Sequence, residues 1–187
     1  LKLNPKAVVP TLVHDGHVIV ESTVIAEYID DVFPNPPLKP KTPLGLAAMR
    51  LWTKVVDEEV HPACGELTFV SCHRHILQRL GKEKLQEFLD STPPISVTPY
   101  WHERKKELVT KGFAATGVAE KFRLYDRYLA KMEETLATQP WLAGAEFTLA
   151  DIAMTPYLNR LDMLGMSEMW TRARPRVTDW WSRVCAR

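Results

Sequence analysis

The chain is poor in the features that announce specialised classes. Its 187 residues hold three cysteines, at positions 64, 72 and 185. An odd, irregularly spaced set speaks against a disulfide framework and favours a reducing cytoplasm. Charge of one sign is also missing: 24 basic against 23 acidic residues leave a formal net charge of +1. That balance offers no electrostatic reason to expect nucleic acid. No apolar run is long enough to span a bilayer, and no signal peptide is visible. The sequence opens on Leu1 rather than methionine, and its first elements read as a lone two-stranded hairpin, which is marginal in water. The expectation is a chain whose first strand-helix-strand portion is missing from the sequence.

What is present starts with residues 7–28. Val8, Val9, Leu12 and Val13 make one β run, and Val18, Ile19 and Val20 a second. Asp15-Gly16 between them is the dipeptide a type I′ hairpin turn requires. Ser22 stands where a helix N-cap belongs, and Val24, Ile25, Tyr28 and Ile29 share the buried face predicted for that helix. Pro10 is out of place inside a strand, since it cannot donate a ladder hydrogen bond. It fits where the strand edge is open for a ligand, or where its peptide bond is cis. Glu21-Ser22 lies at the strand-to-helix junction, where free N–H groups and the helix dipole attract a carboxylate. With Glu21 beside it to hold an ammonium, the junction suits the end of an α-amino acid. A structural hairpin with no ligand is the competing reading of these residues alone.

Five prolines fall in the ten positions 34–43, which marks a stiff, extended linker. Beyond it the pattern is helical. Leu46, Met49, Trp52, Val56 and Val60 predict a first long helix ending near His61-Pro62. A less regular segment runs from Cys64 to Leu89 with a break at Gly81. Residues 92–99 predict a loop, and Glu103 to Val109 a further helix. Phe122, Tyr125, Leu129, Met132 and Leu136 mark a strong amphipathic helix over 118–137. Thr148 and Asp151 have the spacing of a capping box, with Phe147 and Ile152 at the positions of a hydrophobic staple. Pro156 then falls inside that helix, where it removes a hydrogen bond and predicts a kink costing ~3 kcal/mol. Pro175 to Val184, with Trp180 and Trp181, predicts a closing helix.

Asn4-Pro5, Val9-Pro10-Thr11-Leu12 and Glu21-Ser22-Thr23 with Ile25 and Tyr28 resemble the second half of the thioredoxin-like domain of glutathione transferases. The order of hairpin, Glu-Ser helix, proline-rich linker, helical domain and capping box extends the resemblance over the whole chain. It implies an α+β, thioredoxin-like part over 1–33, a linker over 34–43 and an all-α helical bundle over 44–187. It implies that Val9, before a cis-proline at Pro10, pairs its backbone with the cysteinyl part of glutathione. Glu21 and Ser22 would bind the γ-glutamyl end. Residues 21–34 and 49–54 look most like the bacterial branch that contains β-aryl etherases. The implied activity joins the glutathione thiolate to an electrophilic small molecule, aryl ethers among them, in a cytoplasmic homodimer with a role in detoxification. A free thiol titrates near ~8.5, so lowering it by two pH units takes about 2.7 kcal/mol of thiolate stabilisation. In the family the donor that does this precedes the position of Leu1, so the catalytic residue stays unknown. Trp52, Val56, Glu59 and Phe113 are implied as walls for the hydrophobic second substrate, although tryptophan at helical spacing is more often core. A glutathione-dependent isomerase or reductase, and a non-catalytic binding or assembly protein, are the alternatives on the same scaffold.

Three other groupings carry less. His61 with Cys64 and Cys72 with His75 have metal-ligand spacing, but residues 65–71 lack a finger pattern, and no metal is assigned. The run His102 to Lys106 reads as a solvated helix face. Asp57-Glu58-Glu59 reads as a surface or dimer-facing edge, because consecutive helical residues point to different sides.

Overall fold

The computed structural model describes residues 2–6, 8–91 and 101–187, the side chain of His102 excepted. The loop expected over 92–99 lies outside the described residues. Strands β1 (Thr11–His14) and β2 (His17–Val20) pair antiparallel, with Leu12 opposite Ile19 and Val13 opposite Val18. Asp15 and Gly16 both take positive φ, 48° and 78°, which meets the backbone demand of a type I′ turn. Val8 and Val9 lie ahead of the strand rather than in it. Helix α1 (Ser22–Val32) follows, and the His14 ring meets the Tyr28 hydroxyl at 2.8 Å, tying hairpin to helix.

The buried face of α1 differs from the expected one. Ile25 is buried, but Val24 and Ile29 are exposed, and Asp30 is buried in their stead. The Asp30 carboxylate accepts the backbone N–H groups of Leu38 and Lys39 at 2.6 and 3.1 Å, so the helix is rotated to staple down the proline-rich stretch. That stretch in turn accepts a hydrogen bond from Leu149 N on the Leu38 carbonyl.

The first long helix does not end at His61-Pro62. Helix α2 (Pro43–Val55) passes through a π turn (Val56–Val60) into α3 (His61–Thr68), then through a second π turn (Phe69–His73) into α4 (Arg74–Arg79). The physical reason is the position of the widened turn. His61 N–H reaches back five residues to the Val56 carbonyl, and Pro62 arrives in the opening turn of α3, where its missing donor is least costly. The apolar stripe runs straight through, with Met49, Val56, Val60, Ala63, Leu67 and Val70 all buried.

Gly81, at φ 86°, separates α4 from α5 (Lys82–Asp90), as expected. Then come α6 (Trp101–Lys111), a 3-10 turn (Gly112–Ala114), α7 (Val118–Thr135), α8 (Leu149–Met163), the short α9 (Glu168–Thr171) and α10 (Pro175–Cys185). Tyr125, Leu129 and Met132 on α7 share one buried core with Met154, Leu158 and Leu161 on α8 and with Trp170 and Trp180. The result is an α+β portion, a two-stranded sheet with α1, followed by an all-helical bundle. Among the described residues no helix is long and apolar enough to cross a membrane.

The capping box forms as spaced. Thr148 Oγ1 accepts from Ala150 N at 3.2 Å, and Asp151 Oδ2 accepts from Thr148 N at 3.0 Å. Phe147 packs edge-to-face on Trp141 at 5.1 Å. Helix α8 continues through Pro156, with the Thr155 hydroxyl donating to the Asp151 carbonyl at 2.7 Å.

Of the run expected as a solvated face, Glu103 is exposed as expected, but Arg104 and Lys105 are drawn inward. Arg104 makes a two-pronged pair with Glu66 and a third bond to Glu107. Lys105 is 2% exposed, donates to the Phe88 carbonyl and lies over the Phe88 ring. A long aliphatic stem lets a lysine bury this way while its ammonium finds a carbonyl, and here burial pushes that ammonium below its ordinary pKa.

Candidate functional site

The site begins in the loop ahead of β1. Asn4 is buried; its side-chain amide donates to the Val8 carbonyl at 2.9 Å and its oxygen accepts from Lys6 N at 3.0 Å. This clasp holds the approach to Val9, which stands 91% exposed before a cis Val9–Pro10 bond. Residues 9 and 10 thus come to the rim of the sheet instead of its middle.

The chain leaves β2 through Glu21, whose φ of 70° and ψ of 117° are rare for any residue with a side chain. Such a conformation persists only where surrounding structure holds it, and it concentrates at functional positions. Glu21 is the N-cap residue of α1 and Ser22 its first helical residue, so Ser22 does not cap as expected, and no side chain caps this helix. The reason is geometric: the reversal happens one residue earlier. The Glu21 carbonyl already accepts from Ile25 N at 2.9 Å, which leaves the N–H groups of the first turn without partners inside the helix. They lie at the positive end of the helix dipole, in the turn that Ser22 opens.

All four residues implied as glutathione ligands, Val9, Pro10, Glu21 and Ser22, line one cleft of about 460 Å³. Its other walls are Lys6, Val8, Asp57, His61 and Tyr157. Lys6 Nζ lies 2.7 Å from Glu21 Oε1. Across the cleft, Asp57 Oδ2 accepts from Thr23 Oγ1 at 2.7 Å, fastening the first turn of α1 to the π turn. His61 Nδ1 meets the Tyr157 hydroxyl at 3.0 Å. Burial first, then the neighbouring Cys64 and Asp57, push the Tyr157 phenol up to about 12, so it keeps its proton at neutral pH. An apolar side chamber of about 250 Å³ shares Ser22, Asp57 and Tyr157 with the cleft and is closed by Ala26, Val56, Ile152 and Pro156.

The four residues implied as second-substrate walls are not gathered in this way. Val56 borders the side chamber. Trp52 is buried in the core beneath Lys131, whose ammonium lies 5.0 Å from the ring centroid. Glu59 faces the Tyr128 phenol and raises its pKa alongside burial. Phe113 is half-exposed beside Phe122, away from the cleft. The carboxylates 57–59 do diverge: Asp57 goes to Thr23, Glu58 pairs with Lys54, and Glu59 turns to α7. Of the suggested metal ligands, His61 is engaged by Tyr157, Cys64 is buried near Thr68, and Cys72 is exposed.

Sequence reasoning missed Lys6, Tyr157 and the cleft-facing role of Asp57 and His61. One signal was available. Asp57 and His61 are one turn apart on the helix that follows the linker, and Tyr157 follows Pro156 on the capped helix. Nothing in that spacing states that the two helices flank the same opening.

A family model described as the glutathione S-transferase N-terminal domain matches residues 1–37, and one described as the C-terminal domain matches residues 93–187. Protein LigF from Sphingobium sp. is 36% identical over 166 residues, covering 88% of this chain and 63% of that protein. Glutathione S-transferase U3 from Arabidopsis thaliana is 48% identical over 61 residues, 32% of this chain and 27% of its own. The chain therefore spans less than two thirds of the length of these relatives. Among solved structures, the beta-etherase LigF from Sphingobium superposes with a TM-score of 0.82 at 33% identity, covering all of this chain and 77% of that one. A glutathione S-transferase III in apo form superposes with a TM-score of 0.71 at 26% identity, covering all of this chain and 71% of its own.

Proposed function

The chain belongs to the glutathione S-transferase family, and from that premise we propose that it binds glutathione and joins its thiolate to an electrophilic small molecule, aryl ethers included. Residues 1–33 act as the second half of the glutathione-binding domain, 34–43 as the linker and 44–187 as the helical domain. The match to the N-terminal family model ending at residue 37, inside the proline-rich stretch, supports this division.

One observation carries the reading: an exposed Val9 at the sheet rim shares a cleft with the open N-terminus of α1 at Glu21-Ser22. An extended tripeptide lays its cysteinyl backbone along Val9 as an added strand would. Its γ-glutamyl carboxylate meets the Ser22 hydroxyl and the first-turn N–H groups. The ammonium beside it meets the Glu21 carboxylate. Lys6 then exchanges one partner for another, a small cost because exposed ion pairs contribute little. The hydroxyl or thiol donor that stabilises the thiolate is not assigned among these residues.

The protein works in the cytoplasm, in keeping with its unpaired cysteines, and its role is detoxification. It acts as a homodimer. Leu44 and Leu51 are exposed on α2 and Val24 on α1, the two helices that the Glu27–Arg50 pair joins, and exposed apolar side chains beside a charged pair suit a self-complementary face.

A non-catalytic glutathione-binding or assembly role is the second reading. Retention of the full-length protein on glutathione resin, with elution by free glutathione, tests the site. The Glu21→Ala, Ser22→Ala double variant should be folded and lose retention. A folded variant that binds as before overturns the assignment. Turnover of an aryl ether dependent on glutathione separates the enzyme from the binder.

A further inference from the structure

Resting on the proposed transferase reading, we propose that His61, held by Tyr157, donates the proton that lets an oxygen leaving group depart from the second substrate. The class of substrate this favours is an alkyl aryl ether, whose departing phenolate is a poor leaving group without a proton.

The case is built on which nitrogen is free. His61 Nδ1 is occupied by the Tyr157 hydroxyl at 3.0 Å, with the two rings edge-on at 5.9 Å. A hydroxyl both donates and accepts. In the neutral tautomer whose Nδ1 is bare, Tyr157 donates to Nδ1; when the imidazole is charged, Nδ1–H donates back to the phenol oxygen. In both states Nε2 is the nitrogen that carries hydrogen away from Tyr157. Tyr157 thus holds the ring through Nδ1 and leaves Nε2 turned away from it, and its own proton stays in place at neutral pH. His61 is exposed and forms a wall of the same cleft as Val9, where the cysteinyl sulfur of glutathione is expected. The charged groups around it are Asp57 one turn earlier on its own helical run, and Lys6 and Glu21 across the cleft. Tyr157 on α8 completes the enclosure.

The step balances without any other reagent. The thiolate attacks the carbon that bears the aryloxy group; the C–S bond forms as the C–O bond breaks, and the electron pair passes to oxygen. The imidazolium gives that oxygen its Nε2 proton, a phenol leaves, and the imidazole regains a proton from solvent. Tyr157 touches no reacting atom and is a positioning residue.

The test uses the full-length protein and two electrophiles, an alkyl aryl ether and an aryl chloride whose chloride needs no proton. General acid catalysis contributes roughly 10²–10⁴-fold, so His61→Gln should lower the ratio of ether to chloride turnover by about 10²-fold or more. Tyr157→Phe should lower the same ratio by a smaller factor. Across a series of ethers, the His61→Gln loss should grow as the departing phenol becomes less acidic. Equal losses on both electrophiles, or no loss on the ether, overturn the proton-donor role and leave the transferase reading standing. A parent protein that turns over neither electrophile with glutathione sinks the transferase reading and this inference together.

Discussion

Trp180 Nε1 donates to Asp151 Oδ1 at 2.8 Å, so the last helix is hydrogen-bonded to the first turn of α8 inside the bundle. Asp151 has no exposed surface and also accepts from Leu142 N, Thr148 N and the Thr148 hydroxyl. Four donors on one carboxylate make a capping residue into the junction of three chain segments.

Asp151→Ala should therefore cost far more than a lost helix cap. A missing cap costs about 1 kcal/mol, whereas each stranded buried donor costs about 1–3 kcal/mol. With the Leu142 and Thr148 N–H groups and the Trp180 indole N–H all stranded, we expect a loss of about 3–5 kcal/mol. Urea unfolding read by tryptophan fluorescence checks it; a loss of only ~1 kcal/mol would mean the Trp180 and Leu142 bonds add nothing to the cap.

At Glu21, Gly is the residue the backbone prefers and Glu the one the proposed ligand prefers. Glu21→Gly releases a strained conformation, and its exposed pair with Lys6 is worth little. Thermal unfolding should show the variant no less stable than the parent, while glutathione binding measured by calorimetry weakens. A variant that is clearly destabilised would show that the conformation carries no strain.

Gly112 is buried at φ 57°, and a Cβ there would stand 3.0 Å from the Arg74 guanidinium carbon. That guanidinium donates to the Val109 carbonyl at 2.7 Å and closes the end of α6. Gly112→Ala should cost about 1–3 kcal/mol through backbone strain and displacement of Arg74, measured by chemical denaturation. Gly65→Ala is the control, since nothing lies within 4 Å of a Cβ built there.

Glu107 accepts from the Thr116 N–H and hydroxyl and from Lys111, and these bonds pull its carboxyl from the ordinary 4.5 to about 2. Because the folded value lies below the unfolded one, the stabilisation is complete above the ordinary value and drains away as pH falls towards 2. The melting temperature should drop across that interval. Glu107→Gln should flatten that part of the profile; an unchanged slope would place the acid sensitivity elsewhere.

Much of this fold was legible because local rules and tertiary demands agree. Asp15-Gly16 specifies a turn whose twist suits two strands, and the structure supplies positive φ at both residues. Thr148 and Asp151 specify a helix start that needs no distant partner. Disagreement came where a local rule was outvoted. Pro62 reads as a stop, but the apolar stripe from Met49 to Val70 continues past it and the π turn absorbs the ring. Lys105 reads as surface, but its stem fills space over Phe88 and its ammonium finds a carbonyl.

The sequence by itself determined the order of elements, the hairpin register and the pair Val9-Pro10 and Glu21-Ser22, because each depends on residues within a few positions. Only the tertiary structure decided that Asp57 and His61 on one helix, Tyr157 on another and Lys6 in a loop surround those four. Facing across a cleft is a relation between surfaces brought together by burying Met49, Leu129 and Met154 in a common core. A helical period says which residues share a side, and packing alone says what that side meets.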